Sequence, residues 1–269
     1  MTLPFQTPPS PADHKQHQQR INACRGYACV EELFSAFSTR SITQLEVLID
    51  ERVLSTDAEG IDRGTGKYRQ WRNGSAPSDA SADLAASRSG GRADVRKWRD
   101  LPLWILLSEP LPLSISQLHE LMASLSLPVR SAVFLAPGPN AMGRYHRHPL
   151  SRDEMLDLAD LGTLDAFIGL LALAREGELI NDDQRHSVPS IFAFGIFAKI
   201  LRSHPHLEVA WEKLYDSLVF AFWSRWYGEG ISPGFKKQYI VTHRADLAID
   251  ESALCMIGGG RKITLARKV

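Results

Sequence analysis

Two histidine pairs, His146/His148 and His204/His206, are spaced so that in an extended segment both imidazoles point to one side and can share a metal. Arg144 and Arg147 flank the first pair and repel a cation. Pro149 and Pro205 place both pairs in or beside loops, where exposed or helix-terminal histidines are the simpler reading. Gly60 to Lys67 reads Gly-Ile-Asp-Arg-Gly-Thr-Gly-Lys and invites comparison with a phosphate-binding loop. Five residues separate Gly60 from Gly66 where that motif needs four, and Tyr68 stands where Ser or Thr would bind magnesium. Neither a Gly-x-Ser-x-Gly elbow nor His-Glu-x-x-His occurs. Asp153, Glu154 and Asp157 sit at a predicted helix N-terminus, where the macrodipole accounts for them. The expectation is therefore no catalytic residue, no metal and no cofactor. An enzyme is the least supported class, although a site assembled from distant residues leaves no local pattern.

The sharpest local signal is Lys67-Tyr68-Arg69-Gln70-Trp71-Arg72-Asn73-Gly74-Ser75-Ala76-Pro77-Ser78, a polar, basic segment with two aromatics that ends in Asn-Gly. Lys67, Arg69 and Arg72 are suited to phosphates, and Arg69 and Gln70 to base edges. Asn73 or Gly74 suits the left-handed conformation that stops a helix, and Ser78 suits the start of the next one. These dozen residues resemble the recognition helix and exit turn of lambda-repressor-like helix-turn-helix domains. There a Gly stops the groove-reading helix and Gly-x-x-x-Pro-Ser leads into the next. The resemblance implies DNA contact through Lys67, Arg69, Gln70, Arg72 and Asn73. A basic surface loop with an Asn-Gly turn is the other reading of the same residues.

The chain around this segment is neutral overall, with 31 Lys+Arg and 31 Asp+Glu among 269 residues, so no whole-molecule field draws in polyanions. Positive charge collects between residues 60 and 100, where Arg63, Lys67, Arg69, Arg72, Arg88, Arg92, Arg96, Lys97 and Arg99 face Asp62, Asp79, Asp83 and Asp94. Three cysteines, Cys24, Cys29 and Cys255, make a poor disulfide framework and suit a reducing compartment. The N-terminal stretch has neither a basic nor an apolar signal region. The apolar runs Leu164 to Ala174 and Val188 to Leu201 fall short of the ~20 residues of a membrane span. A soluble, cytoplasmic protein is expected.

The elements that must position the basic segment are predicted to be mainly helical: a multi-helix globular body with a flexible basic insertion and a small C-terminal β element. Residues 1–20, Pro- and Gln-rich, read as a mobile tail, and 21–100 as an N-terminal helical region carrying the basic loop. Val30, Leu33, Phe34 and Phe37 share a helical face, and Leu45, Leu48, Ile49 and Leu54 continue a buried stripe. Residues 101–230 read as the α-helical body. Capping-box patterns open helices at Ser41, Ser114 and Ser151, and the run from Leu164 is apolar nearly all round. Val129 to Leu135 suits either a short strand or a turn of helix. Residues 231–269 read as a hairpin, with strands at Tyr239–His243 and Lys262–Ala266 about Gly258-Gly259-Gly260.

Two functions fit this organisation. One is a nucleic-acid-binding or regulatory protein whose basic segment meets DNA. The other is a helical interaction protein or accessory subunit without catalytic activity. In the second, a self-associating or partner surface lies on the aromatic helix that carries Trp211, Trp223 and Tyr227.

Overall fold

The computed structural model describes residues 10–50, 55–56, 62–63, 66–136, 138–223, 237 and 240. In chain order its helices are α1 (Pro11–Phe37), α2 (Ile42–Asp50), α3 (Lys67–Arg72), α4 (Asp79–Arg88), α5 (Val95–Arg99) and α6 (Leu103–Leu107). They continue with α7 (Ile115–Ala123), α8 (Leu127–Val133), α9 (Arg152–Asp160), α10 (Leu164–Leu179), α11 (Asp183–Ser203), α12 (Pro205–Glu208) and α13 (Trp211–Leu218), then a π-helical turn, Val219–Trp223. Between α2 and α3 two antiparallel strands pair, β1 (Ser55–Thr56) with β2 (Asp62–Arg63), in the register Ser55 to Arg63 and Thr56 to Asp62. The protein is mainly helical. The expected C-terminal hairpin lies outside the described residues, as does Tyr227.

The chain forms two compact units. One holds Pro9–Pro110 and His204–Leu218; the other holds Leu111–Ser203 and, among the described residues, Val219–Trp223. The first unit runs past residue 100 through α6 and takes in α12 and α13, all of which pack on α1.

In the first unit the 27-residue α1 is the central element, with α2, α3, α5, α6, α12 and α13 against it. It begins ten residues before the point where the mobile tail was expected to end. Ser10 and Asp13 form a capping box, Pro11 opens the helix, and the His/Gln run that reads as a tail becomes its first turns. His17 is fully buried there, with Nε2 2.7 Å from the Leu107 carbonyl. Cys24 and Cys29 are buried on the same helix, and burial raises both thiols to about 12.

The basic insertion is likewise corrected over residues 66–100, which fold into α3, α4 and α5. Their buried residues are mostly small (Ala82, Ala85, Ala93, Val95), with Tyr68, Trp71 and Trp98 as the large anchors. Alanines carry little hydrophobic weight, so the segment shows no apolar period although its helices pack closely. Two of its cations are spent internally: Arg96 pairs with Asp83 at 2.6 Å, and Arg99 with Asp79 and Asp100, each at 2.7 Å. Glu32 of α1 holds α5 by accepting from the Asp94 backbone N–H at 2.7 Å and the Trp98 indole at 3.1 Å.

The second unit is built on the antiparallel pair α10 and α11. Nearly every residue from Leu164 to Gly177 is buried. Gly177 lies against the backbone at the start of α11, where a Cβ would stand 2.4 Å from the Arg185 carbonyl carbon. Phe167, Phe194, Phe197 and Phe222 fill the core with Trp223, whose indole donates to the Ser190 carbonyl at 3.2 Å. The expected partner surface on the aromatic helix is therefore corrected at Trp223, which is 2% exposed and belongs to the unit's own core. The predicted capping boxes at Ser114 and Ser151 both form. Residues 127–133 resolve as helix, entered through Ser126 and Pro128.

Candidate nucleic-acid interface

α3 is only six residues long, so it draws its stability from what it rests on. Tyr68 and Trp71, three apart, face inward and pack edge to face with centroids 4.9 Å apart. At the N-terminal end the Tyr68 hydroxyl donates to Asp50 Oδ2 at 3.2 Å, and the Lys67 ammonium pairs with Asp50 Oδ1 at 3.0 Å. Burial, then the Asp50 charge, holds the Tyr68 hydroxyl well above the ordinary phenol range. At the C-terminal end α3 meets the backbone of α1. A Cβ at Gly26 would lie 1.6 Å from the Trp71 carbonyl oxygen, so only glycine permits this seat.

The predicted contact residues divide into two sets. Lys67 is engaged with Asp50 and lies over the Tyr68 and Trp71 rings. Arg72 is half-buried, its guanidinium 5.3 Å from the Tyr27 ring centroid and 5.0 Å from that of Phe34. These two brace the helix. Arg69, Gln70 and Asn73 are exposed, and the four- and three-residue spacings put Asn73 beside both Arg69 and Gln70. Asn73 ends the helix, its N–H bonding the carbonyls of Arg69 and Gln70. Gly74 then takes φ +105°, the left-handed conformation the sequence places at Asn73 or Gly74. Ser78 caps α4 by accepting from the Ser81 N–H at 3.2 Å, and Arg99 fixes the turn by donating to the Pro77 carbonyl at 3.2 Å.

Where the resemblance implies a tight turn before the recognition helix, β1 and β2 stand between α2 and α3. Asp50, Tyr27 and Phe34 do essential work that the sequence reading did not assign. The one available signal was Gly26, an isolated glycine inside a helical pattern, which marks a close approach.

The other candidate chemistry disperses. His146 Nε2 lies 2.8 Å from the Asn140 amide and His148 Nε2 lies 3.0 Å from Glu154, so the pair is held by different partners. His206 stacks on Trp98 at 4.1 Å and pairs with Glu32 at 2.9 Å. Among the described residues no group of three or more His, Cys, Asp or Glu is placed to hold a metal, and no helix is long and apolar enough to cross a membrane. Comparison with protein-family models, with curated proteins and with solved structures finds no match for this chain.

Proposed function

We propose that this chain is a nucleic-acid-binding regulatory protein that meets duplex DNA through the exposed face of α3. The observation that carries the reading is the division of labour within that helix. Tyr68, Trp71, Lys67 and Arg72 lock it against α1 and Asp50, while Arg69, Gln70 and Asn73 stand together in solvent on a fixed backbone. Arginine and the side-chain amides are the groups that read guanine and adenine edges in the major groove. Arg96 and Arg99 are already paired with Asp79, Asp83 and Asp100, so these two add little to the field around the helix. Binding then rests on a few direct contacts and has a shallow salt dependence.

Fluorescence anisotropy of labelled duplexes, at low and physiological salt, tests this. The parent is expected to bind with a log–log slope of about −0.9 per phosphate neutralised. The triple variant Arg69→Ala, Gln70→Ala, Asn73→Ala is expected to lose most of the affinity, since a good bidentate base contact contributes about 1–3 kcal/mol. Equal affinity in variant and parent overturns the reading. A second reading, a helical interaction protein, is favoured by Val47 and Leu48, adjacent apolar residues of α2 that are 46% and 47% exposed. It predicts self-association or partner binding that Leu48→Glu abolishes and that the α3 variant leaves unchanged.

A further inference from the structure

A cavity of about 420 Å³ lies within the first unit, between α1 and the segment from Arg99 to Ser108. Ile21 and Arg25, four apart on α1, present one face to it, and Leu101, Trp104 and Ile105 form an apolar wall. Two guanidinium groups line it, and they are in opposite states. Arg99 is spent: its Nε and Nη2 donate to Asp100, and its Nη1 to Asp79 and to the Pro77 carbonyl. Arg25 has no ion pair among the described residues. Its Nη2 donates to the neutral Asn22 side chain, and its Nε is buried without a partner. Burial depresses its pKa, and the Asp100 carboxylate, which makes no ion pair with it, offsets this only in part.

A half-buried guanidinium without an ion pair, facing an apolar wall, can hold one negative charge attached to an apolar body. We infer that this cavity is a binding site for a small monocarboxylate with an apolar body, its carboxylate on Arg25 and its body against Ile21, Trp104 and Ile105. The presence of a single free guanidinium, with the Asp100 carboxylate also lining the cavity, disfavours a dianion such as a phosphate ester. The inference is independent of the DNA reading.

Isothermal titration of the full chain with phenylacetate tests it, alongside phenylacetamide, which keeps the ring and loses the charge, and inorganic phosphate. Saturable binding of one phenylacetate is expected, weaker by about tenfold or more for the amide and for Arg25→Gln, which forgo the charge-assisted bond. Ile105→Trp fills the cavity and is expected to abolish binding while Arg25 is kept, so the result stands even if Arg25→Gln fails to fold. The inference is overturned if phenylacetate does not bind, if the amide binds equally, or if Ile105→Trp leaves affinity unchanged. Tighter binding of phosphate than of phenylacetate also overturns it.

Discussion

The α10–α11 pair and the α3–α5 segment are both helical and both closely packed, but they are held by different forces. α10 and α11 bury large apolar side chains from Leu164 to Leu173 and from Phe192 to Leu201, with Phe167, Phe197 and Trp223 in ring contact. The α3–α5 segment buries alanines, leans on three aromatic anchors and ties itself down with carboxylates: Asp50 to Lys67, Asp79 to Arg99, Asp83 to Arg96. The first region draws its stability from one continuous apolar core. The second concentrates it in a few positions, which is how a short helix can offer a polar face to solvent and still keep one conformation.

Three measurements break or sharpen that contrast, each read by hydrogen exchange on peptides from the unit concerned. The largest effect is expected from Trp223→Ala, which empties the middle of the aromatic core and costs about 3–5 kcal/mol in the second unit. Protection of α10 and α11 should collapse towards the unfolded limit; unchanged protection would mean the core does not depend on this ring.

Acid comes next. His186 is fully buried, Nδ1 3.1 Å from the Ala174 carbonyl and Nε2 3.3 Å from that of Phe222. Burial outweighs these bonds and lowers its pKa to about 4. The unfolded chain takes up this proton near pH 6.5 and the folded unit does not, so stability is complete above 6.5 and is lost as pH falls towards 4. The loss reaches about 3 kcal/mol for a shift of this size. His186→Gln should flatten the profile across this window, and a variant that keeps the parent's slope would assign the proton elsewhere.

The smallest net effect is expected from Gly26→Ala. The new Cβ collides with the Trp71 carbonyl oxygen, an overpacking cost of up to about 3 kcal/mol, offset by roughly 1 kcal/mol of helix propensity. α3 should exchange faster and be cut sooner by trypsin at Arg69 and Arg72. If α3 stays protected, the seat on Gly26 is not what holds it.

The same contrast explains what could be read in advance. A run apolar nearly all round announced α10, and Ser-x-x-Gln and Ser-x-x-Glu announced the starts of α7 and α9. Alanine-based packing left no such trace in α4 and α5, and a polar His/Gln run hid the first turns of α1. On α2 the predicted stripe held at Leu45 and Ile49 but not at Leu48, since a nine-residue helix buries only the face that meets its neighbours. At the candidate interface the segment itself was legible, down to the turn at Gly74 and the cap at Ser78. The roles within it were not. Lys67 meets its partner at Asp50, 17 residues earlier, and Arg72 lies over rings on α1, so no local pattern separates them from the exposed Arg69.

Cys24 and Cys29, buried on α1 and protonated at any physiological pH, give the first unit a built-in clock. An alkylating reagent reaches them only when the helices packed over α1 come away, so the rate at which these two positions are labelled measures how often the unit opens. Mass spectrometry of the peptides that carry them turns that rate into a measure of opening inside a living cell, without a tag or a purified sample.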